Sequence, residues 1–338
     1  MSKPLFLQAF DGTNSRPPIW FMRQAGRFLP EYRALRQKHS LNEMFAQPEL
    51  AAEITCQPVR ILSVDAAILF ADILTLPAHS GFDVHFDNQL GPVISNLITH
   101  PEDVQRIAPL EDVPHIRKTI QMIKEQLGKE TPLIGFAGGP FTVLSYLIEG
   151  GSSISFQKML AFYHQHSDEF ADAMQKITDN TIAYLKIQKN AGIDAFQIFD
   201  TWAGILPPAD YERNILPYIQ QIFAAIDLPS IYYLKNSKPF LPWMSQSGAD
   251  FLSVCQTVDL EKESFLTQVS QGIQGNFWNA LFYADYSTLD REVSRLLQAS
   301  KKFRRYIFNL NHGILPDTDV DKVRFVIEKI KKEGIRRG

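Results

Sequence analysis

The stretch Thr131–Ile148, TPLIGFAGGPFTVLSYLI, decides the fold of this chain. It carries no charge and is long enough to raise the question of a membrane span. However, Gly135, Gly138, Gly139 and Pro140 lie in its middle, and these residue types interrupt a helix. The stretch therefore predicts a buried strand, a turn and the beginning of a helix.

The same order, a short apolar run followed by a turn and an amphipathic stretch, recurs along the chain. The runs are rich in Ile, Phe, Tyr and Val and are bounded by Gly, Pro, Asp or Asn, which is typical of buried strands. We predict eight strands, at Pro18–Met22, Ala66–Phe70, Leu133–Phe136, Ala195–Phe199, Ser230–Leu234, Phe251–Cys255, Ile273–Phe277 and Tyr306–Leu310.

Helical patterns lie between these runs, with apolar residues at three- and four-residue spacing. Pro239 and Pro242 interrupt the pattern after the fifth run, so that helix is the least regular. We predict helices within Pro48–Ser63, Val113–Gly128, Ser155–Ala191 (two helices), Pro208–Ile226, Glu261–Gln271, Ser287–Ser300 and Asp319–Glu333.

Eight strand-then-helix units in 338 residues predict an α/β fold, a single (β/α)8 barrel of the TIM type spanning residues 1–338. A doubly wound open sheet is the alternative, but the first run is not followed by the Gly-rich fingerprint of a dinucleotide site. The segment Phe82–Asn96 alternates apolar and polar residues around Asn88-Gln89-Leu90-Gly91 and predicts an inserted hairpin near the second strand.

The composition excludes several classes of protein. The formal net charge is −3, so no general positive field exists to hold nucleic acid. The chain has two cysteines, which excludes a disulfide framework and a four-cysteine zinc site and suits a reducing compartment. Met1–Asp11 lacks the pattern of a signal peptide. We therefore expect a cytoplasmic protein that binds neither nucleic acid nor a membrane.

The residues that follow each run are the candidates for function, because the active site of such a barrel lies at the C-terminal ends of its strands. Two arginines, two aspartates and a histidine should meet at one mouth, which suits a ligand rich in carboxylates. The sequence has neither His and Glu at metal-ligand spacing nor a nucleophile elbow. The segments at the mouth are Arg23–Arg27, Asp72, Gly138–Thr142, Asp200–Trp202, Lys235–Asn236 and Asn311–Gly313.

Each candidate also has a structural interpretation. Arg23 and Arg27 have the spacing of a solvated helix face, but Gly26 and Pro30 disfavour a regular helix, and the apolar surroundings favour anion binding. Asp72 stands in an apolar run and needs partners, so it is a site residue, a helix cap or a structural acceptor. The other open alternatives are a helix cap for Asp200, a buried core histidine for His312 and a core position for Tyr146.

Three segments resemble the signatures of one enzyme family, the uroporphyrinogen decarboxylases. Pro18–Arg33, PIWFMRQAGRFLPEYR, resembles the N-terminal signature almost residue for residue, and Gly135–Thr142, GFAGGPFT, resembles the second signature. Asp65–Leu74, DAAILFADIL, is similar to the segment that carries the family's key aspartate. The order and spacing of these long motifs fit, and the match runs from about Pro17 to the C-terminal helix.

The resemblance implies a (β/α)8 barrel, usually a homodimer, that acts as a carboxy-lyase in heme and porphyrin biosynthesis. It would convert uroporphyrinogen III into coproporphyrinogen III by removing the acetate carboxyl groups, without a cofactor or a metal. Arg23 and Arg27 are implied to grip substrate carboxylates, and Asp72 to receive the pyrrole N–H groups, as the catalytic residues. The implied substrate-binding residues are Arg23, Gln24, Ala25, Gly26, Arg27, Asp72, Tyr146, Thr201 and His312.

The implied chemistry explains why no cofactor is expected. Loss of CO₂ from an acetate arm leaves an electron pair that needs an acceptor. A pyrrole protonated at the ring carbon next to the arm is cationic and can accept that pair, which is otherwise the task of a cofactor. A fixed carboxylate near the ring nitrogens would stabilise this cation.

The C-terminal half departs from the family pattern at several strand ends. Asn311 stands where the family usually has Gly, Thr201 where Ser is more usual, and Asn236 where Gly is more usual. The segments Ser253–Gln256 and Gln271–Asn279 differ from the usual Leu-Asp-Trp and Gly-Asn-Leu-Asp-Pro patterns.

Two alternative functions remain, and the departures favour the first of them. One is a non-catalytic tetrapyrrole-binding homologue. The other is a corrinoid-dependent methyltransferase of the same superfamily, which uses a His-x-Cys zinc motif. The sequence speaks against the second, because Ser253 stands two residues before Cys255 in place of the histidine.

Overall fold

A curled parallel sheet lies at the centre of the computed structural model, which describes residues 3–87 and 91–335. The strands in these ranges are β1 (Ala67–Ile68), β2 (Val84–Asp87), β3 (Gly91–Ile94), β4 (Leu133–Gly138), β5 (Ala195–Asp200), β6 (Ser230–Leu234), β7 (Phe251–Ser253), β8 (Gly272–Gln274) and β9 (Tyr306–Ile307). The central sheet has the order β1-β4-β5-β6-β7-β8-β9, and every neighbouring pair is parallel.

The segment Pro18–Met22, predicted as the first strand, lies between the two edge strands of this sheet. Ile19 forms a parallel bridge with Phe308, and its carbonyl accepts a hydrogen bond from the amide of Asp65 at 2.7 Å. The sheet thus curls into the predicted barrel, which is confirmed. This first run forms a bridge and not a regular strand, in part because Pro18 has no amide hydrogen to extend the ladder.

Helices follow the strands and cover the outside of the barrel. No helix within the described residues is both long and apolar enough to cross a membrane. The helices are α1 (Leu5–Asp11), α2 (Pro30–Lys38), α3 (Leu41–Ala46), α4 (Pro48–Leu62), α5 (Thr75–Ala78), α6 (Pro114–Leu127), α7 (Pro140–Glu149), α8 (Gln157–Gln165), α9 (Ser167–Ala191), α10 (Pro208–Asn214), α11 (Leu216–Ala225), α12 (Leu241–Met244), α13 (Tyr286–Ser300) and α14 (Val320–Glu333).

Two helix predictions are wrong in detail. The stretch Pro208–Ile226 forms two helices, α10 and α11, because Pro217 has no amide hydrogen to continue a single helix. The stretch Glu261–Gln271 contains only a short 3₁₀ turn in this part of the described chain. There the carboxylate of Asp259 accepts from the amide of Glu261 and holds the chain in a turn instead.

The strands β2 and β3 pair in an antiparallel ribbon beside the second barrel unit. Val84 lies opposite Ile94, and Asp87 lies opposite Gly91. The amide of Phe86 donates to the side chain of Asn42 at 3.0 Å, which ties the ribbon to α3. Residues 88–90 of the predicted hairpin turn lie outside the described residues.

A polar layer inside the barrel shows which side chains face inward. Gln274 of β8 donates to Gln197 of β5 at 2.9 Å and to Ser253 of β7 at 3.0 Å, and it accepts from the indole of Trp20 at 3.0 Å. The contacts of Gln274 with Gln197 and Trp20 join segments that are not neighbours in the sheet and so cross the interior. Because side chains alternate along a strand, Phe199 also faces inward, whereas Asp200 faces the helices.

Candidate active site

The C-terminal ends of the strands bring together predicted site residues from four different units of the barrel. Arg23 lies close enough to Asp72, Tyr146 and His312 for its charge to lower the pKa of each group. These residues follow Pro18–Met22, β1, β4 and β9, so they are distant in the chain. The mouth of the barrel therefore forms one cleft around the guanidinium of Arg23.

Arg23 is held in an unusual backbone conformation. Its φ is 60°, in the left-handed region that non-glycine residues rarely adopt. Its aliphatic stem lies against Gly313, where an added methyl group would collide with it. A glycine at this position after β9 therefore leaves the space in which Arg23 reaches the cleft.

Arg27 belongs to the same loop but lies nearer its rim. It is exposed, and its charge acts on Tyr32 and not on Asp72. The guanidinium groups of Arg23 and Arg27 form no hydrogen bond or ion pair with any described residue. Two guanidinium forks without partners are suited to bind carboxylates from a ligand.

The residues between the two arginines form the scaffold of the loop. The side chain of Gln24 is fully buried, accepting from the amide of Phe21 and donating to the carbonyl of Ala66, both at 3.0 Å. Its side chain thus ties the loop to the residue before β1 and is not available to a ligand. Ala25 and Gly26 are half-buried, so their contribution to binding would come through the backbone.

Asp72 presents a largely unsatisfied carboxylate to the cleft. Its Oδ1 accepts from the amide of Leu74 at 2.9 Å. Burial raises the pKa of Asp72, while the Leu74 bond and the charge of Arg23 pull it down. The bond to Leu74 partly supports the structural alternative, but it is one bond to a group with room for several. Asp72 therefore has acceptor capacity left for a ligand's N–H groups.

Tyr146 lies near Asp72, and Thr201 follows the C-terminal end of β5. The ring of Tyr146, on α7, lies 6.4 Å from that of Trp202. Burial raises the pKa of Tyr146, and the negative charge of Asp72 adds to the effect. Thr201 is half-buried between Asp200 and Trp202, and its hydroxyl has no hydrogen bond to another described residue. Tyr146 therefore borders the cleft, and the role of Thr201 in binding stays a prediction.

His312 lies on the opposite wall in its neutral form. Burial, followed by the charges of Arg23 and Lys235, lowers the pKa of His312 to about 4. The amine of Lys235 lies 5.0 Å above the ring of Trp202, so this lysine also borders the cleft. The sequence placed Lys235 at the mouth without assigning it a role. It adds positive charge where carboxylates are expected to bind.

Asp200 does not point into the mouth, contrary to the expectation that both aspartates meet there. It is fully buried, and its carboxylate accepts from the hydroxyls of Thr142 at 2.6 Å and Tyr232 at 3.2 Å. Burial raises the pKa of Asp200 to about 6. Alternation along β5 turns it outward, where it joins the beginning of α7 to β5.

The departures in the C-terminal half are linked to one another. Asn311 donates to Gln256 at 2.9 Å and accepts from the amide of Asn279 at 2.8 Å. The side chain of Asn279 donates to the carbonyl of Gly313 at 2.9 Å. Three residues that differ from the family pattern thus form one network that holds the loop of His312.

The described residues contain no group of three His, Cys, Asp or Glu side chains placed to share a metal ion. Among the residues that the structure describes here, Arg23 and Lys235, with Arg27 in the same loop as Arg23, supply positive charge, and Asp72 supplies a carboxylate beside Arg23. This arrangement can hold an anionic ligand that also offers N–H groups to one central acceptor.

The comparisons with known proteins agree with this geometry. A model of the uroporphyrinogen decarboxylase family (URO-D) matches residues 1–333. A uroporphyrinogen decarboxylase of Flavobacterium johnsoniae is 41% identical and covers 99% of each chain. Another, of Trichlorobacter lovleyi, is 38% identical and covers 94% of each chain.

Among solved structures, a methyltransferase from Methanosarcina mazei superposes with a TM-score of 0.82 over 98% of this chain and 99% of its own. At 18% identity this likeness shows the barrel fold alone. The family model and the relatives extend over nearly the whole sequence and include the resembled motifs. On these grounds the chain belongs to the uroporphyrinogen decarboxylase family.

Proposed function

We propose that this protein is a carboxy-lyase that converts uroporphyrinogen III into coproporphyrinogen III, a step of heme and porphyrin biosynthesis. The observation that carries the proposal is the partly satisfied carboxylate of Asp72 beside the guanidinium of Arg23, which pairs with no residue that the structure describes. The substrate offers complementary groups, since it has carboxylate arms on every pyrrole and ring N–H groups that can turn toward one acceptor.

Asp72 and the arginines bind different groups of the substrate. The free oxygen of Asp72 receives the pyrrole N–H groups and keeps the ring centred in the mouth. Arg23, and Arg27 at the rim, hold carboxylate arms through paired hydrogen bonds. Tyr146, Thr201 and His312 contact the remaining arms, with the neutral imidazole of His312 acting as a hydrogen-bonding group.

The reaction exchanges one carboxyl group for hydrogen on each acetate arm. A proton adds to the ring carbon next to the arm, the bond to the carboxyl carbon breaks, and its electron pair neutralises the cationic pyrrole as CO₂ leaves. A proton then adds to the former methylene carbon, and the ring carbon loses its extra proton. Asp72 stabilises the cationic pyrrole because its fixed negative charge lies near the ring nitrogens. This route uses no cofactor and no metal.

We also propose a cytoplasmic homodimer built from a single domain over residues 1–338. The location is supported by the two cysteines, which are buried thiols without a disulfide. The dimer is supported by family membership. The net charge of −3 supports the absence of a nucleic-acid partner.

Anaerobic turnover of uroporphyrinogen III, followed by chromatography of the oxidised products, tests the function. We expect successive loss of carboxyl groups down to the coproporphyrin. Binding without turnover would indicate the non-catalytic homologue. Neither binding nor turnover, together with thiol methylation from a methylated corrinoid in the presence of zinc, would indicate the methyltransferase.

A further inference from the structure

Tyr233 lies at the cleft end of β6 and faces the inside of the barrel. Its position in the sheet register is opposite Phe199 on one side and Ser253 on the other. Ser253 belongs to the polar layer that crosses the interior. The sequence did not single out this tyrosine, because an aromatic residue in an apolar run resembles any core residue.

The ring of Tyr233 is surrounded by groups of the candidate site. Its centroid lies 5.7 Å from that of Phe199 and 6.4 Å from the imidazole of His312. Burial raises the pKa of Tyr233, while the nearby charge of Arg23 lowers it. The hydroxyl therefore lies within the electrostatic reach of the arginine that faces the cleft.

The hydroxyl of Tyr233 has no hydrogen-bond partner within the described residues, although the side chain is only 2% exposed. A buried hydroxyl without a hydrogen bond lowers the stability of the folded protein. The neighbouring Tyr232 is different, since its hydroxyl bonds to Tyr211 at 2.8 Å and to Asp200 at 3.2 Å. The two tyrosines differ because Tyr232 faces the helices and Tyr233 faces the inside of the barrel.

We propose that Tyr233 is a further substrate-binding residue, whose hydroxyl donates a hydrogen bond to the carboxylate arm held by Arg23. This inference rests on the proposed function. Arg23 has no other anion among the described residues with which it pairs, so an arm that it binds arrives beside the hydroxyl. The arm supplies the missing acceptor, and Phe199 and His312 fix the ring that carries the donor.

The variant Tyr233→Phe tests this role because it removes the hydroxyl and keeps the ring. We expect kcat/KM for uroporphyrinogen III to fall about tenfold or more, mainly through a higher KM, as for a hydrogen bond to a charged group. The thermal unfolding temperature should stay the same or rise, because an unsatisfied buried hydroxyl is removed. Tyr211→Phe is the matched control. It removes a hydroxyl on α10 that is hydrogen-bonded to Tyr232 on the outer face of β6. It should lower the unfolding temperature and leave kcat/KM unchanged.

The outcomes separate the inference from the proposed function. If the wild-type protein turns over the substrate and Tyr233→Phe has the same kcat/KM, the inference fails and the function stands. A clear drop in unfolding temperature or loss of folding in Tyr233→Phe would show that the hydroxyl has a structural partner, and would also overturn the inference. If the wild-type protein has no decarboxylase activity, the function fails and the inference fails with it.

Discussion

The variant Asp72→Asn tests the central assignment most directly. The asparagine side chain has the size of the aspartate. Its oxygen can still accept the hydrogen bond that the backbone amide of Leu74 donates to Oδ1 at 2.9 Å in the wild-type protein. The other half of the head becomes an NH₂ group, which is a donor facing the donor N–H groups of the substrate. The negative charge near the pyrrole nitrogens is lost as well.

The expected loss in rate follows from this exchange. Removal of one preorganised electrostatic group lowers kcat by about 10²–10³, or roughly 2.7–4 kcal/mol. Folding stability should change in the opposite direction. Because burial raises the pKa of Asp72, the charged carboxylate is disfavoured in the folded state at neutral pH, and the neutral amide should be as stable or more stable.

The assay is anaerobic turnover of uroporphyrinogen III by folded variants of equal concentration, with unfolding in denaturant measured in parallel. Asp72→Glu keeps the charge but moves it by one methylene, and should fall between the wild-type protein and Asp72→Asn. Asp194→Asn is a control at the opposite end of the barrel, where the carboxylate binds Lys124 at 2.6 Å and the amide of Leu133 at 2.7 Å. It should lower stability and leave turnover unchanged.

Near wild-type turnover by Asp72→Asn would show that the carboxylate is a structural acceptor and that the assignment is wrong.

The remaining predictions concern the arginines, metals and pH. Arg27→Lys should reduce kcat/KM about tenfold or more, because lysine cannot form the paired bonds worth ~1.5–3 kcal/mol; an unchanged kcat/KM would assign the arginine to structure. Dialysis against a strong chelator should leave turnover unchanged, whereas a loss restored by zinc would contradict the mechanism. Asp200 has a folded pKa raised from 3.8 to about 6, so its contribution to stability is complete below pH 3.8 and declines as the pH rises through about 6. Asp200→Asn should remove this decline, which denaturant unfolding from pH 4 to pH 7 would detect; parallel curves for variant and wild type would refute it.

Local chemistry made the fold and the position of the mouth predictable. The glycines and the proline within Thr131–Ile148 end β4 and begin α7, and this needs no distant partner. The apolar runs recur in the order of a parallel barrel, whose geometry places every strand end at one mouth. For that reason Arg23, Asp72 and His312 could be expected in one cleft, although His312 lies more than two hundred residues after the other two in the chain.

The direction and the partners of each side chain were decided by the tertiary structure. Asp72 and Asp200 look alike in the sequence, since each follows an apolar run, but one borders the cleft and the other binds Thr142 behind the sheet. The departures at Asn311, Gln256 and Asn279 looked independent, yet hydrogen bonds join them. These differences depend on strand register and on neighbours contributed by remote segments. A linear pattern describes the chain's own periodicity, whereas burial and hydrogen bonding across the barrel exist only once it has closed.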